Sequence, residues 1–308
     1  MRIALCFVGL TGSVDFGYGL GEPIDPRIAH HHHMKYIMDE NENVDVFIHS
    51  WSTDFKDMLI DLYKPKKHII EKQVDFGRDT IRNNSTISRW YSTEMVSNLV
   101  REYETENDFK YDWVMVYRLD HIFLTPLNFS KFNNNFIYFR HSNGLAAPQQ
   151  FSHGYENKKC TCYDKQGSYG LRLYDAYAFS NSDNMNKFSS VYSYHYENNL
   201  PFDMSPHDEC HVQLQRHNIT DKLKFAFYGM DPWPDENITQ AECVRAIYIN
   251  PEFNEGSEFN IKKLKMFEAN PGRNQEVRRR FGVWGVPDIA KDIKNKEKIG
   301  FGTNIPVQ

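Results

Sequence analysis

Residues Tyr111–Phe123, YDWVMVYRLDHIF, carry an apolar run straight into Arg118 and Asp120, with one residue between them. In an open α/β sheet the carboxyl ends of the strands line the ligand crevice, so a carboxylate delivered there is placed to hold a metal ion or a sugar hydroxyl. The plainer alternative is a surface ion pair between the two side chains, which contributes little in water. The order of elements around the segment favours the crevice.

Other groupings of reactive residue types are less specific. His207-Asp208-Glu209-Cys210-His211 sets His207 and His211 at i and i+4 on one helical face, the zincin spacing, yet Asp208 stands where that motif has Glu and no third ligand stands out. The same stretch fits a helix start whose acidic residues favour the dipole, or a catalytic carboxylate presented at a helix amino terminus. His30–His33 lie inside a predicted helix, where consecutive side chains diverge and cannot form one compact metal site; they are expected to be structural or on the surface, with one facing the crevice. Cys160-Thr161-Cys162 is too closely spaced for a zinc knuckle. The loop VGLTGS, Val8–Ser13, lacks both GxGxxG and P-loop spacing. Its glycines let backbone amides approach a nucleotide, and they equally make an ordinary tight turn.

These residues need elements to position them. Arg2–Gly9 reads as a buried strand, Asp25-Pro26 as the capped start of a helix from about Arg27 to Asn41, and Val44–His49 as a second strand. Strand, loop, helix and strand in that order make a parallel pair. A short helix over Asp54–Tyr63, a strand at His68–Glu71, a long helix over Ile87–Glu106 and the strand Tyr111–Tyr117 continue the alternation, which predicts a doubly wound sheet. Arg140–Leu171 has no periodicity and is expected to be a functional loop or lid. Strand at Arg172–Phe179, helices at Asp183–Glu197 and Pro206–His217, strand at Leu223–Tyr228 and a polar tail from Lys291 follow.

A chain of 308 residues accommodates one large α/β domain. Its net charge of −5 gives no basic footprint for nucleic acid, and no apolar run reaches bilayer-spanning length. Five irregularly spaced cysteines argue against a disulfide scaffold and for a reducing, cytoplasmic setting. Aromatics at 15% suit sugar-stacking platforms, although a composition rich in Lys, Asn, Tyr, Phe and Ile has the same effect without any such role.

Taken together, MRIALCFVG, VDVFIHSWS (Val44–Ser52), YKPKKHIIEKQ (Tyr63–Gln73), SRWYSTEMV (Ser88–Val96) and YDWVMVYRLDHIF resemble the GT-A-like glycosyltransferases of bacteria and large DNA viruses that carry an R-x-D or D-x-D motif. The resemblance covers most of the first half and implies a GT-A-like, doubly wound mixed sheet flanked by helices, with a less regular C-terminal part. It implies a nucleotide-sugar-binding half over 1–139, an acceptor-binding and catalytic half over 140–290, and a tail over 291–308. The nucleotide-sugar donor would sit over Gly9, Thr11, Gly12, His49 and Arg118, with Asp175 on sugar hydroxyls. Arg118 replaces the first Asp of D-x-D. Either Asp120 anchors Mn²⁺ or Mg²⁺ on the diphosphate, the favoured reading, or Arg118 itself neutralises the leaving group. Glu209, ahead of Asp208, resembles the base that deprotonates a glycan acceptor in inverting members. The alternatives are a metal-dependent hydrolase using His207, His211 and Asp120, and a non-catalytic carbohydrate-binding protein.

Overall fold

The computed structural model describes residues 1–12, 23–77, 81–123, 126–140, 173–202, 204–226 and 243–245. The expected lid over Arg140–Leu171 falls outside the described residues except at Arg140, and Cys160, Cys162 and the polar tail fall outside them entirely. The chain divides into two compact units. The first takes Met1–Leu10, Asn41–Arg118 and Asn128–Tyr228, and the second takes Thr11–Glu40, Leu119–Leu127 and Gly229–Gln308.

The first unit is built on a mixed seven-stranded sheet with flanking helices. Its strands are β1 (Ile3–Gly9), β2 (Val44–Ser50), β3 (Lys67–Ile70), β4 (Trp113–Arg118), β6 (Ile137–Arg140), β7 (Tyr174–Ser180) and β8 (Leu223–Phe225), in the order β3-β2-β1-β4-β7-β6-β8. β1 pairs in parallel with β2 and with β4, as the alternation of elements predicts. β7 runs against both of its neighbours, β4 and β6. The two central strands are apolar along nearly their whole length, and Ile3 to Val8 are essentially inaccessible, as a strand covered on both faces requires.

Helix α2 (Lys56–Tyr63) lies between β2 and β3 in the chain, and helix α3 (Ile81–Glu106) lies over β1, β2 and β3 and buries Ile87, Trp90, Val96 and Val100. Truncating a buried Trp such as Trp90 typically costs ~3–5 kcal/mol. On β4, β7 and their neighbours, Trp113, Phe129, Phe132 and Tyr138 gather around Phe179 at centroid distances of 5.0–5.7 Å. The largest fully buried side chains of the described residues are all aromatic, so much of the chain's aromatic content is core.

Two expectations change in detail. Asp183–Glu197 is two helices, α4 (Ser182–Ser189) and α5 (Val191–Glu197), broken at Ser190. The Ser190 hydroxyl donates back to the Lys187 carbonyl at 3.0 Å, the kind of local bond that competes with a continuing helix. Strand β6 was not anticipated, and its pairing with β7 shifts register between Phe139 and Arg140.

In the second unit, α1 (Pro26–His33) starts where the sequence predicts, with Asp25 accepting from the Arg27 amide at 2.9 Å, and passes into a π-helical turn over Met34–Met38. Strand β5 (His121–Phe123) pairs antiparallel with β9 (Cys243–Arg245). Within the histidine run, His32 and His33 are buried. His32 Nδ1 lies 3.3 Å from the Phe123 carbonyl and His33 Nε2 lies 2.7 Å from that of His121, tying the helix to β5. Burial, reinforced by neighbouring histidines, lowers both imidazoles to about 3. No helix among the described residues is long and apolar enough to cross a membrane.

The neutral burial of His32 and His33 sets an acid limit on stability. In the unfolded chain each protonates near its ordinary value of about 6.5, whereas in the folded chain it resists until about 3. The stabilisation is therefore complete above about pH 6.5 and is lost as pH falls toward 3, at up to ~1.4 kcal/mol per pH unit for each residue. Urea unfolding at pH 7.0, 5.5 and 4.5 should show this slope, and His32→Gln should flatten it. Equal stability at all three values would contradict neutral burial.

Candidate functional site

In the first unit, β1 leads outward to β2 and β3 on one side while β4 lies on the other, so the strand order reverses between β1 and β4. Ligands of open α/β sheets bind outside the carboxyl ends of the strands at such a point. The pairing of Val8 with Arg118 sets the ends of β1 and β4 side by side, at Gly9 and Arg118. Because β7 is antiparallel, with Tyr177 opposite Tyr117, its first residues, Tyr174 and Asp175, come to the same edge.

Gly9 adopts φ +86, which favours glycine, and space around it is open. Its amide donates to Ser92 Oγ at 3.2 Å and its carbonyl accepts from Ser50 Oγ at 2.8 Å. His49 supports this turn from beneath. It is fully buried, with Nδ1 2.7 Å from Ser92 Oγ and Nε2 3.2 Å from Glu71 Oε1. Burial lowers its imidazole, against the pull of Glu71. His49 thus acts on the edge through Ser92.

Asp175 is the centre of the arrangement. Its side chain is 5% exposed, and around it stand His207 Nδ1 at 3.1 Å from Oδ1, Arg89 Nε at 3.4 Å from Oδ2 and Arg118 Nη1 at 3.8 Å from Oδ2. Arg89 also donates through Nη2 to the Asp175 carbonyl at 3.0 Å. Its Nε contact is a close ion pair without hydrogen-bond alignment. Burial by itself would raise the Asp175 carboxyl, but His207, Arg118 and Arg89 together hold it well below the usual carboxylate range. An ionised carboxylate with three partners fixes those partners in turn. Arg118 and His207 keep a quarter and a third of their side chains exposed, respectively, while Arg89 is largely covered.

Helix α6 (Pro206–Arg216) starts at Ser205, whose hydroxyl accepts from the Asp208 amide and stands 2.5 Å from the Asp208 carboxylate. Asp208 therefore closes the cap. Glu209 is 1% exposed; its Oε1 lies 2.9 Å from His195 Nε2, and Arg216 also donates to it. To act as an acceptor base, Glu209 would have to leave both partners. His211 is buried, its Nδ1 without a hydrogen-bond partner. Among the described residues no group of three His, Cys, Asp or Glu side chains comes together to hold a metal ion.

In the second unit, Thr11 is buried and Gly12 sits against Asp120. At φ +106, a Cβ on Gly12 would lie 2.7 Å from Ile24 Cδ1 and 3.2 Å from Asp120 Cβ. The Asp120 carboxylate is 2.9 Å from His121 Nδ1. Gly12 and Asp120 are thus brought together, as are Arg118 and Asp175 in the first unit. Arg89, His195 and Arg216, to which sequence reasoning gave no role, complete the ion clusters around Asp175 and Glu209. The available signals were a cation next to Trp90 on an otherwise core-facing helix and a histidine in an aromatic run.

Two substitutions test these assignments. Glu209→Gln leaves His195 and Arg216 without their counter-charge, and urea unfolding should show a loss of ~3–5 kcal/mol, the cost of breaking a buried pair; unchanged stability would refute the internal role. Gly12→Ala should cost ~1–3 kcal/mol or more through a strained backbone and a clash with Ile24, read by the same measurement. No protein-family model matches the chain, and no curated protein does.

Proposed function

We propose that the chain is a GT-A-like glycosyltransferase, moving a sugar from a nucleotide-sugar donor to a glycan acceptor in surface polysaccharide or glycoprotein glycan synthesis. The observation that carries this reading is a partly exposed cation, Arg118, held by the buried Asp175 at the point where the strand order reverses. A guanidinium fork is suited to a diphosphate, and a fixed cation there stabilises the charge that develops on the departing nucleotide diphosphate. The mixed sheet with its single reversed central strand, β7, is in keeping with such a fold. Buried, unpaired Cys6 and Cys210 suit a reducing cytoplasm.

The expected Mn²⁺ or Mg²⁺ would be held by Asp120 together with water and substrate oxygens, since such ions commonly take only one or two protein carboxylates. Asp120 lies 2.9 Å from His121 Nδ1, which orients it. Charge neutralisation of the leaving group is the role proposed for Arg118, which the enclosed Asp175 aims.

Thermal-shift measurements against UDP-, GDP-, CMP- and dTDP-sugars test the reading. One nucleotide class should raise Tm by several degrees, since ligand at 100 times Kd stabilises by ~2.7 kcal/mol. Arg118→Ala should weaken that binding by ~30-fold or more, and the same titration in EDTA reports the contribution of the divalent ion. Absence of a shift with every donor, or wild-type binding by Arg118→Ala, would overturn it.

A further inference from the structure

We infer that Asp175 and His207 form a proton-transfer dyad, in which His207 is the base that receives the acceptor hydroxyl proton. This rests on the glycosyltransferase reading. The geometry is that of a buried carboxylate orienting a more exposed imidazole: Asp175 Oδ1 stands 3.1 Å from His207 Nδ1, with exposures of 5% and 33%. The Asp175 amide also approaches Nδ1, at 3.3 Å, so two tautomers compete for that atom. With Nδ1 protonated, the ring donates to an ionised carboxylate, a charge-assisted bond stronger than accepting from an amide. Asp175 is held ionised by Arg89 and Arg118, so the Nδ1–H form prevails and Nε2 carries the lone pair. A carboxylate fixing the tautomer and steadying the imidazolium that forms is the working principle of histidine bases.

The position agrees with the chemistry. His207 lies in the first turn of α6, and its own carbonyl accepts from the Leu173 amide at 3.1 Å, which anchors that turn beside the start of β7. Among the described residues, the charged and titratable groups around the dyad are Arg89 from α3, Arg118 from β4, and Asp208 and Cys210 from α6. Glu209 is enclosed and Asp208 is engaged with the cap hydroxyl, whereas His207 keeps a third of its side chain exposed. In the step, the acceptor oxygen bonds to the anomeric carbon and its proton passes to His207 Nε2. The bond from the anomeric carbon to the diphosphate oxygen breaks, and its electron pair leaves on the nucleotide diphosphate beside Arg118. The proton then passes to solvent.

The experiment pairs ring nitrogen NMR of the full chain with kinetics of His207→Asn. The wild-type ring should be the Nδ1–H tautomer, and an Nε2–H ring would overturn the dyad whatever the protein's activity. Transfer by His207→Asn should fall by ~10²–10⁴-fold, while the Tm shift with donor persists. A variant that binds donor and retains transfer within about threefold would overturn the base assignment. Should the wild type bind no nucleotide-sugar, the glycosyltransferase reading and the base role fall together, and the tautomer still decides the dyad. Asp175→Asn removes the counter-ion of two arginines and is a test of folding, so the decision rests on His207.

Discussion

A carboxylate buried to the extent of Asp175 stays ionised only if the surrounding cations repay its desolvation, and the first unit is arranged to do so. Its partners come from α3, β4 and α6, elements far apart in sequence that meet where β7 begins. Arg89 is largely buried, while Arg118 and His207 contact the same carboxylate and remain partly in solvent. The interaction that closes the sheet edge therefore also presents its chemistry. Loss of the carboxylate would leave Arg89 and Arg118 facing each other without their shared counter-charge.

A second buried cluster, Glu209 with His195 and Arg216, follows on the same helix. It joins α6 to α5 and is sealed from solvent. Neighbouring positions of α6, two residues apart, thus do opposite work: His207 faces a partly open cluster and Glu209 a closed one. Positions two apart on a helix are separated by about 200° around the axis, so this division follows from helical geometry.

Much of the frame was legible in the sequence because its strands are long apolar runs and its helices have chemical starts. IALCFVG and WVMVYR are buried on both faces, and Asp25-Pro26 begins a helix where capping rules place it. β6, four residues long, carries too little pattern to be distinguished from loop, and β5 is shorter still. The break at Ser190 depends on one hydroxyl choosing a backbone carbonyl over water. Within the site, sequence singled out Arg118, Asp175 and the start of α6, but it did not distinguish an enclosed carboxylate from an available one. That distinction depends on His195 and Arg216, residues whose approach is a tertiary fact. Arg89 was hidden for the same reason, since nothing local says that a helical arginine beside Trp90 turns inward to a strand.

The central place of β1 in the sheet has a consequence for synthesis. It leaves the ribosome before both of its partners, and one of them is β4, whose Trp113 pairs with Ile3. Until the chain has grown past Arg118, an almost wholly apolar ribbon has an unsatisfied edge, and closing so long a loop is slow. The nascent protein must therefore hold this apolar strand half-paired with β2 until β4 has been made. Codon-dependent pausing or chaperone capture in that interval would govern yield more than the stability of the finished fold.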